Sequence, residues 1–495
     1  MSIKIQGQMM RGAAWMVLFQ LVDRALGMIS VFILMRLLSP ADFGIVAMGM
    51  SFVAMAEVLT AFGFDVALIQ HPNPTDEHYH SAWTCNVIVG CAITIILIAV
   101  AWPAAMFYRQ PVVFWVMSVL ALGPFLTSLE NIGLVRFRKE LQFRKEFTFR
   151  ASRRLLTFLF TLPLALLLRN YWALVGGILI SRLGGSVLSY VAQEFRPRFC
   201  LTKVRELFVF SKWLLANNIV YFFRESCTDF VVGRLRGPGT LGLYNVSYEI
   251  AKIPTADLSA SINRALLPGF AKIESGNDLR AAYGNAIGIL VFIAIPAAAG
   301  VFSVAPYFVA VALGDKWWES TALLEILVFN GAAILFHSST GALLMARGYP
   351  KYVTMFNCLY VLMLLGMLVG FLPAYGVVGA AYAALVSSVL MMPISVYAVK
   401  KKIGIAAEVF ARAFVRPVLG SILMIAVVRW VLPTYERSMS MQAAISLLIG
   451  GAALGIAVYA SVVWVLWVLA GRPVSAEHIV LARVRNLFSI VRLPR

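Results

Sequence analysis

Charged residues are scarce in this chain. Only 13% of its 495 residues are Asp, Glu, Lys or Arg, whereas 61% are hydrophobic and the mean hydropathy is +0.84. Soluble domains carry about 25% charged and about 45–50% apolar residues, so much of this protein's surface requires lipid as its solvent. This composition excludes a soluble protein and leaves no room for a large catalytic ectodomain.

The sequence also lacks the usual motifs of metal, nucleotide and hydrolase chemistry. Its five cysteines are scattered and form no CxxC pair, so neither a disulfide framework nor a zinc–thiolate site is expected. No Walker, GxSxG or HExxH pattern occurs. The segment QHPNPTDEHYH at 70–80 contains three histidines, but its prolines predict a solvated turn. We therefore expect no metal, no cofactor and no enzymatic activity.

Long apolar runs predict an all-α polytopic membrane protein. A helix that crosses the hydrocarbon core takes about 20 residues, and the runs provide about fourteen such spans. The predicted spans are 12–35, 43–69, 81–107, 111–133, 148–169, 171–193, 207–232, 239–263, 284–313, 320–346, 352–373, 375–399, 408–432 and 441–470. The first contains Asp23 and Arg24 and leads straight into another span, so we interpret it as an uncleaved helix and not a signal peptide.

The 42 basic residues predict the orientation. If the amino terminus is cytoplasmic, 29 of them fall on that side, 8 fall on the opposite side and the other five lie within spans. This bias predicts a multi-pass membrane protein with both termini cytoplasmic. The basic segment RFRKELQFRKEFTFRASRR at 136–154 and the tail at 477–495 are interpreted as helices on anionic lipid headgroups, and not as RNA-binding tracts. No nucleic acid is expected as a partner.

A shift of 198 residues reveals an internal repeat. It aligns Trp15 with Trp213, Val22 with Val220, Phe32 with Phe230, Arg36 with Arg234, Leu37 with Leu235, Pro40 with Pro238 and Gly44 with Gly242. The repeat predicts two parallel six-helix bundles around a central cavity, an architecture typical of transporters. The predicted domains are an N-terminal lobe at 1–200, a C-terminal lobe at 201–402, and two additional helices with a basic tail at 403–495. Spans 13 and 14 are expected to contact a partner or lipid.

Ionisable residues cluster in the first two helices of each lobe. Each costs at least about 2.5–3.5 kcal/mol inside a bilayer, so the clusters indicate either a polar cavity or ion pairs that brace the bundle. The candidate substrate-cavity residues are Arg24, Arg224, Lys252, Asp23 and Glu57. The candidates for ion coupling or bracing are Asp65, Glu225, Asp229, Glu249 and Asp257. Glu249 and Lys252 are three residues apart and could pair with each other.

Two long strings then identify a resemblance. LLSPADFGIVAMGMSFVAMAEVLTAFGFDVALIQ at 37–70 and LGLYNVSYEIAKIPTADLSASINRALLPGFAKI at 241–273 resemble signatures of the bacterial polysaccharide transporter family. These are the Wzx-type lipid-linked oligosaccharide flippases of the multidrug/oligosaccharidyl-lipid/polysaccharide exporter superfamily. The ARGYPKY turn at 346–352 and the YGVVGAAYAAL opening of span 12 are similar to that family as well. The resemblance covers about residues 10–400.

The resemblance implies a transporter of the bacterial inner (plasma) membrane that works by alternating access. Its substrate would be an undecaprenyl-diphosphate-linked oligosaccharide, moved from the cytoplasmic to the periplasmic leaflet for exopolysaccharide, lipopolysaccharide or capsule synthesis. The implied partners are this lipid-linked oligosaccharide and membrane lipids, with a polysaccharide polymerase and a chain-length regulator as candidates. The alternatives are a multidrug or cation antiporter of the same superfamily and a flippase for a peptidoglycan precursor. A cavity dominated by carboxylates would favour the antiporter.

Overall fold

A computed structural model of the chain describes residues 22–60, 64–140 and 142–472. Every regular element in these ranges is helical, as the hydropathy predicts for a chain that must satisfy its backbone hydrogen bonds inside lipid. Packing divides the chain into two units, Met1–Gly242 and Leu243–Arg495. The lobes at 1–200 and 201–402 were inferred from the repeat and not from packing, so their boundaries stay a prediction.

The first unit is a bundle of long and broken helices. They are α1 at 22–37, α2 Pro40–Thr60, α3 Phe64–Gln70, α4 Asp76–Tyr108, α5 Val112–Leu120, α6 Leu122–Ser128, α7 Val135–Lys139, α8 Phe143–Leu168, α9 Tyr171–Ala192 and the beginning of α10, Val204–Lys272. The predicted span at 111–133 is thus interrupted between α5 and α6. A second break follows, where the chain bends by 58° between Val112–Ser128 and Ile132–Lys139.

The second unit contains the remainder of α10 and five further α-helices among the described residues. They are α11 Gly276–Phe308, α12 Ser320–Ala346, α13 Pro350–Ile403, α14 Ala407–Val431 and α15 Met441–Leu469. A π-helical turn, Val309–Leu313, and a 3-10 turn, Asp315–Trp317, connect α11 to α12. Each of the five helices is long and apolar enough to cross a membrane.

Two glycines join predicted spans into single bent helices. Gly237 (φ 81°, ψ −177°) bends α10, and Gly376 (φ 61°, ψ −143°) bends α13. Glycine adopts positive φ without the Cβ clash that penalises other residues. Over the described ranges, nine helices meet the length and composition for a membrane span, or ten if the bent pair near 130 is one span. The total of fourteen spans stays a prediction.

Small and aliphatic side chains form the core of each unit. In the first, Val53, Leu97, Val116 and Val175 are 0–2% exposed and pack α2, α4, α5 and α9 together. In the second, Ile287, Phe336 and Val399 belong to a cluster that packs α11, α12 and α13 together. The faces turned away from these cores are also apolar, which a soluble protein could not tolerate over such an area. The most exposed of these residues include Trp430, Leu167, Val191 and Val369, at 75–85%.

The last two helices are integral to the second unit. Met424 and Val428 of α14 and Tyr459 and Val463 of α15 are buried in one cluster with α11. The Tyr459 hydroxyl donates a hydrogen bond of 2.9 Å to the carbonyl oxygen of Phe292 on α11. Spans 13 and 14 therefore lie outside the sequence repeat but are packed against it.

The sequence repeat coincides with a reciprocal helix crossing inside the first unit. A Cβ atom on Gly44 would lie 1.7 Å from the carbonyl oxygen of Pro238, and one on Gly242 would lie 1.8 Å from that of Pro40. The 198-residue shift relates the two glycines to each other and the two prolines to each other. Small residues at such a crossing let two helix backbones approach closely. Both helices therefore require glycine at this crossing, because any Cβ atom would overlap the carbonyl oxygen of the facing proline.

Candidate functional site

One face of α8 carries three arginines that line a cavity in the first unit. Arg150, Arg153 and Arg154 occupy positions i, i+3 and i+4, which share a side of a helix. Together with Arg138 of α7 they line a cavity of about 520 Å³. Four guanidinium groups therefore meet in one space among membrane helices.

Four carboxylates line the same cavity. They are Asp23 of α1, Asp65 of α3, Glu130 in the turn after α6, and Glu146 of α8. Arg154 Nε lies 3.1 Å from an oxygen of Asp23, and Arg153 Nη1 donates to Glu130 at 2.9 Å. These two arginine side chains are 36% and 35% exposed. Their partners can be exchanged, since the guanidinium groups are reachable from the cavity.

Glu146 forms the buried anchor of the site. Its side chain is only 7% exposed, and one of its oxygens accepts from Arg138 Nε and from Arg150 Nη2, each at 2.8 Å. Hydrogen bonds between ionised partners are about twice as strong as neutral ones. Glu146 thereby holds two of the four arginines in place, whereas Arg153 and Arg154 pair with less buried carboxylates.

Neutral polar groups complete the wall and are themselves fixed. Asn131 donates from its backbone nitrogen to Ser189 Oγ (2.8 Å) and from Nδ2 to the carbonyl oxygen of Phe195 (2.6 Å). Its Oδ1 accepts from the backbone nitrogen of Gly133 (2.9 Å). With four arginines and four acids the lining is formally neutral. Arginine binds carboxylate and phosphate in the same forked geometry, so this lining suits an anion that can replace a carboxylate.

The structure brings two of the predicted site residues into this cavity, Asp23 and Asp65. The carboxylate of Glu57 pairs instead with Arg182 of α9. In the second unit, Lys252 Nζ lies 3.5 Å from Glu249 and 4.0 Å from the centroid of the Tyr248 ring. Glu57 is thus paired between two helices, whereas Glu249 and Lys252 lie together on one helix, and their roles stay a prediction.

Four further predicted residues are absent from the described lining of this cavity. Arg24 on α1 and Arg224, Glu225 and Asp229 on α10 are each half-buried. The side chain of Asp257 lies outside the described residues. A cavity lined by both repeats stays a prediction.

The segment 136–154 differs from its sequence interpretation. It was expected to lie on lipid headgroups, but α8 continues from Phe143 directly into a membrane-length helix and turns Arg150, Arg153 and Arg154 towards the cavity. Arg136 is also turned inward, because its guanidinium pairs with Asp76 and lies 4.6 Å from the ring centroids of Tyr79 and Phe195. The tail at 477–495, which had the same interpretation, lies outside the described residues.

Sequence reasoning missed these arginines because each was expected to reach outward to the interface. A signal was available in their spacing of three and four residues at the start of an apolar run. Such a face is expected to meet acids, and Asp23 and Glu130 lie in neighbouring predicted spans.

Comparison with known sequences identifies relatives in polysaccharide biosynthesis. Residues 33–322 match the family described as polysaccharide biosynthesis protein. The lipopolysaccharide biosynthesis protein WzxC of Escherichia coli K12 is 26% identical over 364 residues, which cover 70% of this chain and 71% of WzxC. The teichuronic acid biosynthesis protein TuaB of Bacillus subtilis 168 is 22% identical over 349 residues, covering 70% and 72% of the two chains.

Solved structures of polytopic transporters share the fold. The lipid II flippase MurJ in an inward closed conformation matches with a TM-score of 0.74 at 12% identity, over 91% of this chain and 99% of MurJ. A multidrug resistance MATE family transporter in an inward-facing conformation matches with a TM-score of 0.59 at 14% identity, over 77% and 96%. These likenesses confirm the predicted fold class.

Proposed function

Because the chain belongs to the family of polysaccharide biosynthesis proteins, we propose that it moves a lipid-linked oligosaccharide across the inner membrane by alternating access. The names of WzxC and TuaB connect similar chains with the synthesis of surface polymers. The lipid II flippase MurJ shares the fold of this chain. The protein is a transporter and not an enzyme.

The observation that supports this proposal is the cavity lined by four arginines, here called the arginine cavity. A diphosphate and several sugars cannot cross hydrocarbon unaided, because each unpaired polar group costs several kcal/mol there. Diphosphate oxygens would displace Asp23 and Glu130 from Arg154 and Arg153, the two arginines whose carboxylate partners are less buried than Glu146. Glu146 would keep Arg138 and Arg150 in place during this exchange. In this scheme Arg153 and Arg154 bind substrate, and Glu146 is a positioning residue.

The predicted topology puts the cavity on the side where substrate enters. The chain between α6 and α8 belongs to the cytoplasmic face by the distribution of basic residues. Pro40 and Pro238 follow the first and seventh predicted spans and belong to the opposite face. The glycine crossing beside these prolines would therefore close the extracytoplasmic end, and alternating access would require it to part.

An apolar cleft in the second unit suits the lipid part of the substrate. It has a volume of about 690 Å³ and lies between α11, α14 and α15. Its lining includes Pro296 and Gly300 of α11, Gly451 and Gly455 of α15, and Trp464. A polyprenyl chain could lie against such a surface while its headgroup occupies a polar site.

Transport in reconstituted vesicles tests the proposal. The purified protein is compared with an Arg153→Ala/Arg154→Ala double variant for movement of a fluorescent polyprenyl-diphosphate oligosaccharide between leaflets. The matched control is Arg144→Ala, an exposed arginine near the start of α8 that does not line the cavity. A hydrogen bond to a charged group contributes about 1.5–3 kcal/mol, so the double variant should be slowed at least about 100-fold and the control unchanged.

Equal rates in the double variant and the control would refute the role of the cavity. Failure of the wild-type protein to move the lipid, with proton- or sodium-driven uptake of organic cations, would instead identify the antiporter. The four carboxylates that line the cavity are the observation that favours this second function, cation antiport.

A further inference from the structure

We propose that His71, His78 and Glu206 form a zinc-binding site in the first unit, apart from the arginine cavity. The ligand atoms of the three side chains lie within 4.8 Å of one another. His78 Nε2 is already 3.1 Å from Glu206 Oε2. A tetrahedral zinc ion with bonds of about 2.0–2.1 Å separates its ligand atoms by roughly 3.3 Å, so a small contraction suffices to close the site.

The histidine-rich turn alone did not predict this site. The third ligand comes from the start of α10, 128 residues after His78 in the chain. Two imidazoles and one carboxylate form a ligand set typical of zinc, whereas Mg²⁺ and Ca²⁺ prefer oxygen ligands alone. A water molecule would take the fourth position.

His71 has a ring nitrogen available for a metal. Its Nδ1 is buried and has no hydrogen-bond partner among the described residues. A buried polar atom that stays unpaired destabilises the fold, and a bound metal ion would remove that cost. The ring lies 4.6 Å from the ring of His78, measured between centroids. Lys139 Nζ donates to the backbone oxygens of Leu68 and His71, at 3.1 and 2.5 Å, and so fixes the position of this turn.

His78 is oriented by the first turn of α4. Thr75 caps this helix, and its backbone N–H donates to His78 Nδ1 at 3.1 Å. The neutral ring therefore carries its proton on Nε2, facing Glu206. When zinc binds Nε2, the proton moves to Nδ1, the Thr75 N–H gives up its hydrogen bond to that nitrogen, and Nδ1 donates to Thr75 Oγ1, 2.8 Å away. Metal-bound histidines commonly donate their other ring N–H to an oxygen in this way.

Glu206 is held beside the histidines by the linker that precedes it. The linker lies along α4, where Arg198 N donates to His80 Nδ1 (3.0 Å), Cys200 N to Thr84 Oγ1 (2.9 Å) and Lys203 N to Ser81 Oγ (3.1 Å). Lys203 Nζ bonds the other oxygen of Glu206, Oε1, at 2.9 Å. The hydrogen bonds from Lys203 and His78 lower the pKa of Glu206.

A bound zinc ion would fasten the turn before α4 to the start of α10. That turn joins spans 2 and 3 of the first repeat, and α10 begins the second repeat. The proposed site therefore connects the two repeats at the face predicted to be cytoplasmic.

Zinc binding by the purified full-length protein tests this site. After treatment with a chelator, the protein is titrated with Zn²⁺ against a zinc-sensitive dye, and bound metal is counted by mass spectrometry. We expect about one zinc per chain. Loss of an outer-shell partner alone weakens metal sites about 10–100-fold, so His78→Ala and Glu206→Gln should each weaken binding by about 100-fold or more.

A further variant serves as a control for other zinc ligands. Cys200→Ser removes the thiol of the linker, which does not belong to the ligand set, and keeps the backbone N–H that donates to Thr84. It should bind zinc as the wild type does. Glu206 is exposed, so Glu206→Gln provides the test even if His78→Ala fails to fold. The proposal is wrong if the wild type binds no zinc, or if Glu206→Gln binds it with unchanged affinity.

Discussion

Replacing either Gly44 of α2 or Gly242 of α10 with alanine should separate these two helices where they cross. In Gly44→Ala, the new Cβ would lie 1.7 Å from the carbonyl oxygen of Pro238, whereas carbon and oxygen atoms ordinarily approach no closer than about 3.3 Å. The helices must therefore separate by roughly 1.6 Å. No rotamer change can relieve this clash, because the obstructing atom belongs to the backbone. Overpacking of this kind costs about 1–3 kcal/mol.

This cost applies only to the state in which the crossing is closed. If transport requires the crossing to part, the substitution shifts the equilibrium towards the parted state by about 5–150-fold. A cysteine at position 241 reports on this change, since Leu241 is 0% exposed beside Gly242. Its labelling by a membrane-impermeant maleimide is measured in cells, in a chain whose five native cysteines have been replaced.

A matched control lies two residues away from Leu241. A Cβ on Gly239 would meet no atom within 4 Å, so Gly239→Ala should label as slowly as the parent. Gly44→Ala and Gly242→Ala should both label about 5–150-fold faster, because the two contacts are reciprocal. Equal labelling of all three variants would refute the interpretation of this crossing as a gate.

Two further predictions concern packing and charge. Glu146→Gln should lower the free energy of unfolding by about 2–3 kcal/mol. Breaking a buried ion pair costs about 3–5 kcal/mol, but the two arginines that pair with Glu146 are 44% and 35% exposed and can be hydrated. Thermal unfolding of the purified protein measures this loss, with Glu140→Gln at an exposed position as the control, and equal midpoints for the two variants would contradict it. Gly420→Ala should destabilise the packing of α14 on α15 by about 1–3 kcal/mol, because its Cβ would lie 2.8 Å from Val463 Cγ2. Gly450→Ala on α15, where a Cβ meets no atom within 4 Å, should leave the unfolding midpoint unchanged.

Hydropathy predicts much of the fold because lipid restricts the backbone to a few solutions. A chain in hydrocarbon must satisfy its own hydrogen bonds, so each long apolar run implies a helix. The break at Gly237 was also predictable, since the sequence places Gly and Pro side by side there. Pairing between distant residues was not, and the packing of α15 on α11 through Tyr459 and Phe292 is one example.

The candidate site was predicted less completely than the fold. The cost of burying charge in lipid identified Asp23 and Asp65, which do line the cavity. The same reasoning assigned the arginines of 136–154 to the interface, because side chains long enough to reach headgroups need no buried partner. The pairing of Arg153 with Glu130 becomes evident only when α8 is seen beside the turn after α6. His78 and Glu206 are close because of the path of the linker before α10, and no local sequence pattern predicts that path.

The central claim is transport of a lipid-linked oligosaccharide, and the lipids of a deletion strain test it most directly. The measurement is the amount of diphosphate-linked repeat units in each leaflet of the inner membrane, together with the surface polysaccharide. The account predicts that the polymer is lost and that repeat units accumulate in the cytoplasmic leaflet. Unchanged polymer with no accumulation, accompanied by new sensitivity to cationic drugs, would contradict it and identify an antiporter.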